Sequence, residues 1–323
     1  MKIVIYGASV TAQKGRTGYF EHLKEILNEK YEVVRLPFGA SHLHFAGIAM
    51  IQKVLDEKPD ICILDWVTPS ASVFPDDTVS RINNILISNK IRPIWILLPR
   101  TDDPFSERKS CEQVLDSKSD IVKVFKFQES SWAVEDLSSI IRDVVHTNEN
   151  GAVKYASFIN EVIEEVCNPK INFVEKNKSL RIPKIIACDG TIKEDSPLTI
   201  AFSHERGNLS LYSLSLIGPA SPILQLDLME NDRIVQSHFR NVVDPWCYYE
   251  RTMLINFPSF KNIESGFYKL RISIVNEDPF ENVKTLKSIS SEDQLENHLD
   301  RFLKVDEFII DGDVKVEGYH YGL

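Results

Sequence analysis

No run of 18 or more apolar residues occurs in this 323-residue chain, so no membrane-spanning helix is expected. Cysteines at metal-ligand or redox spacing are missing as well. The five present (Cys62, Cys111, Cys167, Cys188 and Cys247) form no CxxC pair. An odd number in apolar or mixed segments reads as reduced, structural thiols of a cytoplasmic protein, with neither a disulfide framework nor a metal site. There is no basic cluster either. The formal net charge is −10, and Lys176, Lys178, Arg181 and Lys184 are scattered near a linker. Such a chain has no general attraction for nucleic acid or anionic membrane surfaces. The opening MKIVIY is too short an apolar run for a signal peptide and leads straight into a glycine turn. Internal repeats and low-complexity tracts are also absent.

What is present suits two packed domains: 43% hydrophobic and 26% charged residues are ordinary for globular units with sizeable cores. The first half alternates strand and helix patterns. Strands are expected at Lys2–Tyr6, Glu32–Leu36, Ile61–Trp66, Pro93–Leu98 and Ile121–Phe127. Helical spacing runs through Phe20, Leu23, Ile26 and Leu27. It recurs from an N-cap at Ser41 through Ala46, Ala49, Met50 and Leu55, and from Asp76 and Asp77 through Val79, Ile82, Ile85 and Leu86. Further helices are expected at Ser106–Leu115 and at Ala152–Val166. Near-continuous apolar strands joined by helices imply a parallel sheet buried on both faces, with flavodoxin-like order 2-1-3-4-5.

After Cys167 the pattern changes. Residues 1–168 form the first domain, 169–181 a polar linker and 182–323 the second domain. Short strands such as Leu198–Ser203, Leu209–Leu216, Ile223–Met229, Thr252–Phe257 and Tyr268–Val275 alternate with turn signals at Asp189-Gly190, Arg206-Gly207, Gly218-Pro219 and Ser265-Gly266. This spacing predicts an antiparallel β-sandwich, interrupted by a helix at Ser291–Leu303.

In an open parallel sheet, ligands bind beyond the carboxyl ends of the strands. Four loops belong to that edge: Gly7-Ala8-Ser9 after the first strand, Phe38-Gly39-Ala40 after the second, Trp66-Val67-Thr68-Pro69-Ser70 after the third, and Asp143-Val144-Val145-His146 before the last helix. A serine becomes a nucleophile when a histidine takes its proton, and a carboxylate orients and stabilises that histidine. Ser9, His146 and Asp143 are the residue types this chemistry needs. Taken singly, Ser9 and Asp143 also suit helix N-caps, and Gly39 suits a positive φ. His42 and His44 read as surface or core residues. Trp66 and Trp132 are large aromatics of core type, although the loop position of Trp132 also suits a substrate contact.

Together these blocks resemble the SGNH (GDSL-type) hydrolase superfamily over residues 1–167. Gly7-Ala8-Ser9 matches its nucleophile block, Gly39 its glycine block, and Asp143, His146, Asn148, Gly151, Tyr155 and Ala156 its DxxHxNxxGxxxYA run. The resemblance implies a triad of Ser9, Asp143 and His146, with an oxyanion hole made by the backbone N–H groups of Ser9 and Gly39. Two positions depart from the pattern. Ala8 stands where an Asp is usual, and Pro69 stands where an Asn would donate to the oxyanion, which leaves Thr68 or Ser70 as a substitute donor.

The resemblance implies acyl transfer through acyl-Ser9, to water or to a sugar hydroxyl, without metal or organic cofactor. The expected partner is an ester substrate or acyl donor, a carbohydrate or bacterial surface polysaccharide being the expected class. The appended sandwich supports a carbohydrate, because such domains often present glycan-binding surfaces. A cytoplasmic enzyme would act before export. The alternative, favoured by Ala8 and Pro69, is a catalytically impaired binding or scaffold protein of the same fold.

Overall fold

The computed structural model describes residues 1–68, 78–103, 114, 121–167, 180–244, 246–247, 249–277 and 300–322. The chain divides into two compact units, Met1–Leu180 and Arg181–Leu323.

The first unit holds a parallel sheet of β1 (Lys2–Gly7), β2 (Glu32–Pro37), β3 (Ile61–Asp65), β4 (Arg92–Leu97) and β5 (Lys123–Lys126), in the order β2-β1-β3-β4-β5. The central strands β1, β3 and β4 are buried almost throughout, whereas the edge strands β2 and β5 are half-buried. That distribution follows from covering both faces of a parallel sheet with helices. Alternate residues of β1 point to opposite faces. Ile3 and Ile5 join a core with Phe20, Leu23 and Leu27 of α2 (Tyr19–Leu27) and Phe158, Ile159 and Val162 of α5 (Glu149–Cys167). On the other face the Tyr6 hydroxyl donates to Ala46 O (2.9 Å) and Gly47 O (3.0 Å), just before α3 (Ile51–Asp56). Trp95 of β4 donates to Asn83 of α4 (Thr78–Ser88), at 2.9 Å.

Several local expectations change. Ile26 is 43% exposed, because the inward face of α2 needs only Phe20, Leu23 and Leu27. Asn28 ends α2 in the left-handed region (φ 42°) and returns its N–H to Lys24 O, a common helix stop. Ser41 does not cap a helix: its hydroxyl donates to Gly39 O (3.2 Å), and a wide π-type turn over Leu43–Gly47 starts beyond His42. Asp76, Asp77, most of 106–115 and the linker 169–179 lie outside the described residues.

The second unit is all β among the described residues. One sheet has the order β10-β9-β13-β7-β15 and the other β11-β8-β14-β6, with β12 also on β8, all antiparallel. The strands are β6 (Lys184–Ile192), β7 (Leu198–His204), β8 (Gly207–Ile217), β9 (Ile223–Glu230), β10 (Arg233–Asn241), β11 (Arg251–Asn256), β12 (Phe260–Ile263), β13 (Gly266–Val275), β14 (Leu303–Asp311) and β15 (Val314–Tyr321). Leu198, Ile200, Phe202, Leu224 and Leu226 of the first sheet share one core with Leu209, Leu211, Phe308 and Ile310 of the second, which makes a sandwich. Asp189-Gly190 is not a turn between strands. It lies within β6, where the pairing with β14 shifts register between Val305 and Glu307. The helix expected at Ser291–Leu303 falls mostly outside the described residues, and Leu303 itself opens strand β14.

Candidate active site

The nucleophile loop is built on close approach. Gly7 ends β1, and a Cβ there would lie 2.2 Å from Thr11 Oγ1 and 2.6 Å from Asp65 O. Only glycine lets the chain turn directly from the sheet into α1 (Ser9–Ala12) at this edge. Ala8 takes the cap position without a side-chain cap, and its N–H donates to Asp65 O at 3.3 Å. Ser9 is therefore the first helical residue and not the cap. Its backbone N–H has no intrahelical acceptor, so it is available to a ligand oxygen.

Four residues are too few for a helix to stand alone. Its far end is held by Arg35 of β2, whose Nη1 donates to Gln13 O (2.8 Å) and Thr11 O (3.4 Å) while its guanidinium lies 4.7 Å above the Phe20 ring. A cation on the last carbonyls of a helix is favourable on both hydrogen-bond and dipole grounds.

Beneath α1 lies a fully buried carboxyl, Asp65. Its Oδ2 accepts from Thr11 (2.8 Å) and its Oδ1 from Thr68 (3.0 Å). The Tyr19 hydroxyl lies 3.0 Å from Thr11 Oγ1. The Thr11 proton is directed to Asp65, so Tyr19 is the donor to Thr11. Burial pushes the Asp65 carboxyl up to about 6, against the hydrogen bonds from the two threonines. Thr68 is thus committed by its hydroxyl to Asp65, and its carbonyl accepts from Arg100 Nη1 at 3.0 Å. The hydroxyl is not free to serve an oxyanion. Pro69 and Ser70 lie outside the described residues.

Gly39 is exposed beside α1, its position for a Cβ 3.9 Å from that of Ala12. Its φ is not positive. The left-handed residue of this loop is Ala40 (φ 53°).

Asp143 and His146 form a closed pair. His146 Nδ1 lies 2.9 Å from Asp143 Oδ2, and Asp143 Oδ1 accepts the backbone N–H groups of Val145 and His146, each at 2.9 Å. Burial opposes ionisation of Asp143, but these donors prevail and bring its carboxyl down to about 2. A carboxylate at Nδ1 requires the proton on that nitrogen and leaves Nε2 as a bare acceptor. The spacing of three residues is not a helical turn. It is a tight loop closed by Arg142 N–H to His146 O (2.9 Å) and by the antiparallel bridge Ile141–Thr147.

The rest of the motif is structural. Asn148 accepts Gly151 N–H (2.9 Å) at the start of α5, and a Cβ on Gly151 would lie 2.0 Å from Ile140 O. Tyr155 and Ala156 are core residues of α5.

The structure closes the Asp143–His146 pair and places Ser9 on the same sheet edge. It makes no Ser9–His146 hydrogen bond; such bonds are often long before substrate binds. One connection between the two halves of the site is Gln13, which sequence reasoning missed. Its amide pairs with the backbone of Thr147, next to His146. No motif marks Gln13, and Asp65, Thr11 and Arg35 were equally silent.

Trp132 is partly buried against the α2/α5 core, with Lys154 Nζ 6.0 Å from its ring. Trp66 is fully buried, 5.0 Å from Tyr6. His42 and His44 are half-buried and stacked at 5.6 Å, and burial lowers both pKa values. Among the described residues no group of three or more His, Cys, Asp or Glu could hold a metal, and no helix is long and apolar enough to cross a membrane.

No family model matches the chain, and no curated protein matches it. Solved structures do. A two-domain esterase (CEX) active on acetylated mannans is 10% identical with a TM-score of 0.59, over 98% of this chain and 92% of that one. The same esterase co-crystallised with mannopentaose gives 0.59 at 10% identity, over 97% and 91%. The acetyl xylan esterase AlAXEase is 16% identical, at a TM-score of 0.43, over 50% of this chain and 100% of that one. The chain therefore shares the fold of that two-domain esterase: a parallel α/β domain followed by an antiparallel β-sandwich.

Proposed function

We propose that this protein is a serine-dependent ester hydrolase of carbohydrate esters, working through an acyl-Ser9 intermediate. The observation that carries the reading is the Asp143–His146 pair, with the carboxylate on Nδ1 and Nε2 turned to no partner of the pair, on the sheet edge where Ser9 opens α1. His146 Nε2 takes the Ser9 proton as Oγ attacks the acyl carbon, and returns it to the departing alcohol. Water, deprotonated by the same nitrogen, then attacks acyl-Ser9 and frees the acid.

The N–H groups of Ser9 and Gly39 hold the oxyanion. With the Thr68 hydroxyl given to Asp65, the described residues offer two donors, and a missing third donor costs about 10²–10³ in kcat. The carbohydrate class is supported by the mannan-active esterase that shares both domain folds. A sugar hydroxyl replacing water as acceptor would make the same site an O-acetyltransferase.

The test is burst and steady-state turnover of p-nitrophenyl acetate and of acetylated mannan, with and without deacetylated mannan as acceptor. Turnover abolished by Ser9→Ala and by His146→Ala is expected. Activity that survives Ser9→Ala refutes the acyl-serine route. Activity absent from the wild type supports the scaffold reading. An acceptor that speeds acyl release makes the protein a transferase.

A further inference from the structure

Gln13 uses both ends of its side-chain amide on one residue. Nε2 donates to Thr147 O (3.1 Å), and Oε1 accepts Thr147 N–H (3.1 Å). These are the two groups a neighbouring β-strand would present, so the amide acts as one rung of a sheet on the open side of the Ile141–Thr147 bridge. The Thr147 hydroxyl has one proton. It points to Thr17 O at 2.7 Å, with Gln13 Oε1 at 3.1 Å as a longer option. Gln13 and Thr147 are both buried.

The placement gives this contact its consequence. Gln13 follows α1 directly and is one helical turn beyond Ser9; Thr147 is bonded directly to His146. The main chain itself takes more than 130 residues to connect the two halves. Each half is tied within itself: Arg35 donates to Gln13 O, and Asp143 accepts the backbone N–H of His146. The Gln13 amide bridges them at the residue next to His146, beside the Thr147 hydroxyl bond to Thr17 O.

We propose that Gln13 is a positioning residue, which fixes the His146 imidazole at attacking distance from the Ser9 hydroxyl by pairing with the Thr147 backbone. The proposal rests on the ester-hydrolase reading of Ser9, Asp143 and His146. The chemistry of the pair is selective. A carboxylate of the same shape would set an oxygen against Thr147 O and lose the donor, so Glu cannot replace Gln. A shift of about 1 Å between reacting groups typically costs on the order of 10²-fold in rate.

The experiment compares Gln13→Glu, Gln13→Met and Thr147→Ser with the wild type and Ser9→Ala. It reads kcat and KM on p-nitrophenyl acetate, the rate of labelling by a fluorophosphonate, and thermal midpoint. Labelling uses the Ser9–His146 pair alone and needs neither sugar nor deacylation. Gln13→Glu and Gln13→Met are expected to lower kcat and the labelling rate together by about 10–100-fold, with KM within about twofold. Thr147→Ser keeps the backbone groups and is expected to behave as wild type. If Gln13→Glu fails to fold, the uncharged Gln13→Met decides. Labelling and kcat within twofold of wild type in Gln13→Met overturn the proposal, as does a loss confined to KM or to the thermal midpoint. A wild type that labels no faster than Ser9→Ala overturns the ester reading itself, and the positioning role with it. That result is distinct, because it is seen before any Gln13 variant is made.

Discussion

Replacing Asp143 by Asn tests the orientation of His146 with almost no change of shape. The loop decides how the new amide must sit. Asp143 Oδ1 accepts two backbone N–H groups, from Val145 and His146, both at 2.9 Å. An NH2 group cannot accept them, so the amide oxygen of Asn must stay at that position. The amide nitrogen is then forced into the place of Oδ2, 2.9 Å from His146 Nδ1. Two donors would face each other unless the imidazole moves its proton to Nε2. That tautomer has no lone pair for the Ser9 proton. In a triad with retained geometry this error costs about 10⁴ in kcat, or about 5.4 kcal/mol of barrier. Stability should fall modestly: both loop hydrogen bonds survive, but the advantage of the ionised carboxyl is lost, an advantage discounted by the 47% exposure of the Asp143 side chain. The assay is kcat on p-nitrophenyl acetate near neutral pH, with a thermal melt as the folding control. A folded Asp143→Asn protein retaining more than a tenth of wild-type kcat would refute the tautomer argument.

Further outcomes follow from the groups around the site. Asp65 is raised to about 6 by burial while its unfolded value is near 3.8, so the unfolded chain loses its proton first as pH rises. This one group should lower stability between about pH 4 and 6, by on the order of 2–3 kcal/mol, and Asp65→Asn should flatten that part of a stability profile taken by denaturant titration. Asp143 has the opposite sign: its contribution, present above about pH 4, is lost only as pH falls toward 2. Thr68→Val removes a donor to Asp65 and should cost stability of about 1–3 kcal/mol with kcat within a few-fold; a loss of 10² or more in kcat at unchanged stability would instead mark the hydroxyl as an oxyanion donor. Gly151→Ala sets a methyl 2.0 Å from Ile140 O, so Ile140 or the start of α5 must shift, and a fall in thermal midpoint corresponding to about 1–3 kcal/mol is expected; an unchanged midpoint would show that the approach is not tight.

The sequence by itself determined whatever local pattern controls. Apolar runs of strand length alternating with helical spacing encode a parallel sheet, because strands buried on both faces can carry few polar residues. Alternating strands and turn signals after Cys167 encode the sandwich. The Asp143–His146 pair was legible through the resemblance of its short motif, and the structure closes it within four residues by hydrogen bonds to its own backbone. Contacts between distant segments were not legible. Asp65 reads as the polar end of a strand, and only the fold stacks Thr11, Thr68 and Tyr19 around it. Thr68 looked like a spare donor until tertiary contact gave its hydroxyl to that carboxyl. Asp189-Gly190 carries a turn signature, yet pairing with β14 absorbs it as an irregularity within β6. Gln13 shows the difference most sharply. A glutamine after a short helix has no pattern of its own, and its partner Thr147 lies 134 residues away. Periodicity reports which face of an element is buried; which polar groups meet at the end of the sheet is set by the packing of whole elements, and only the tertiary structure decides it.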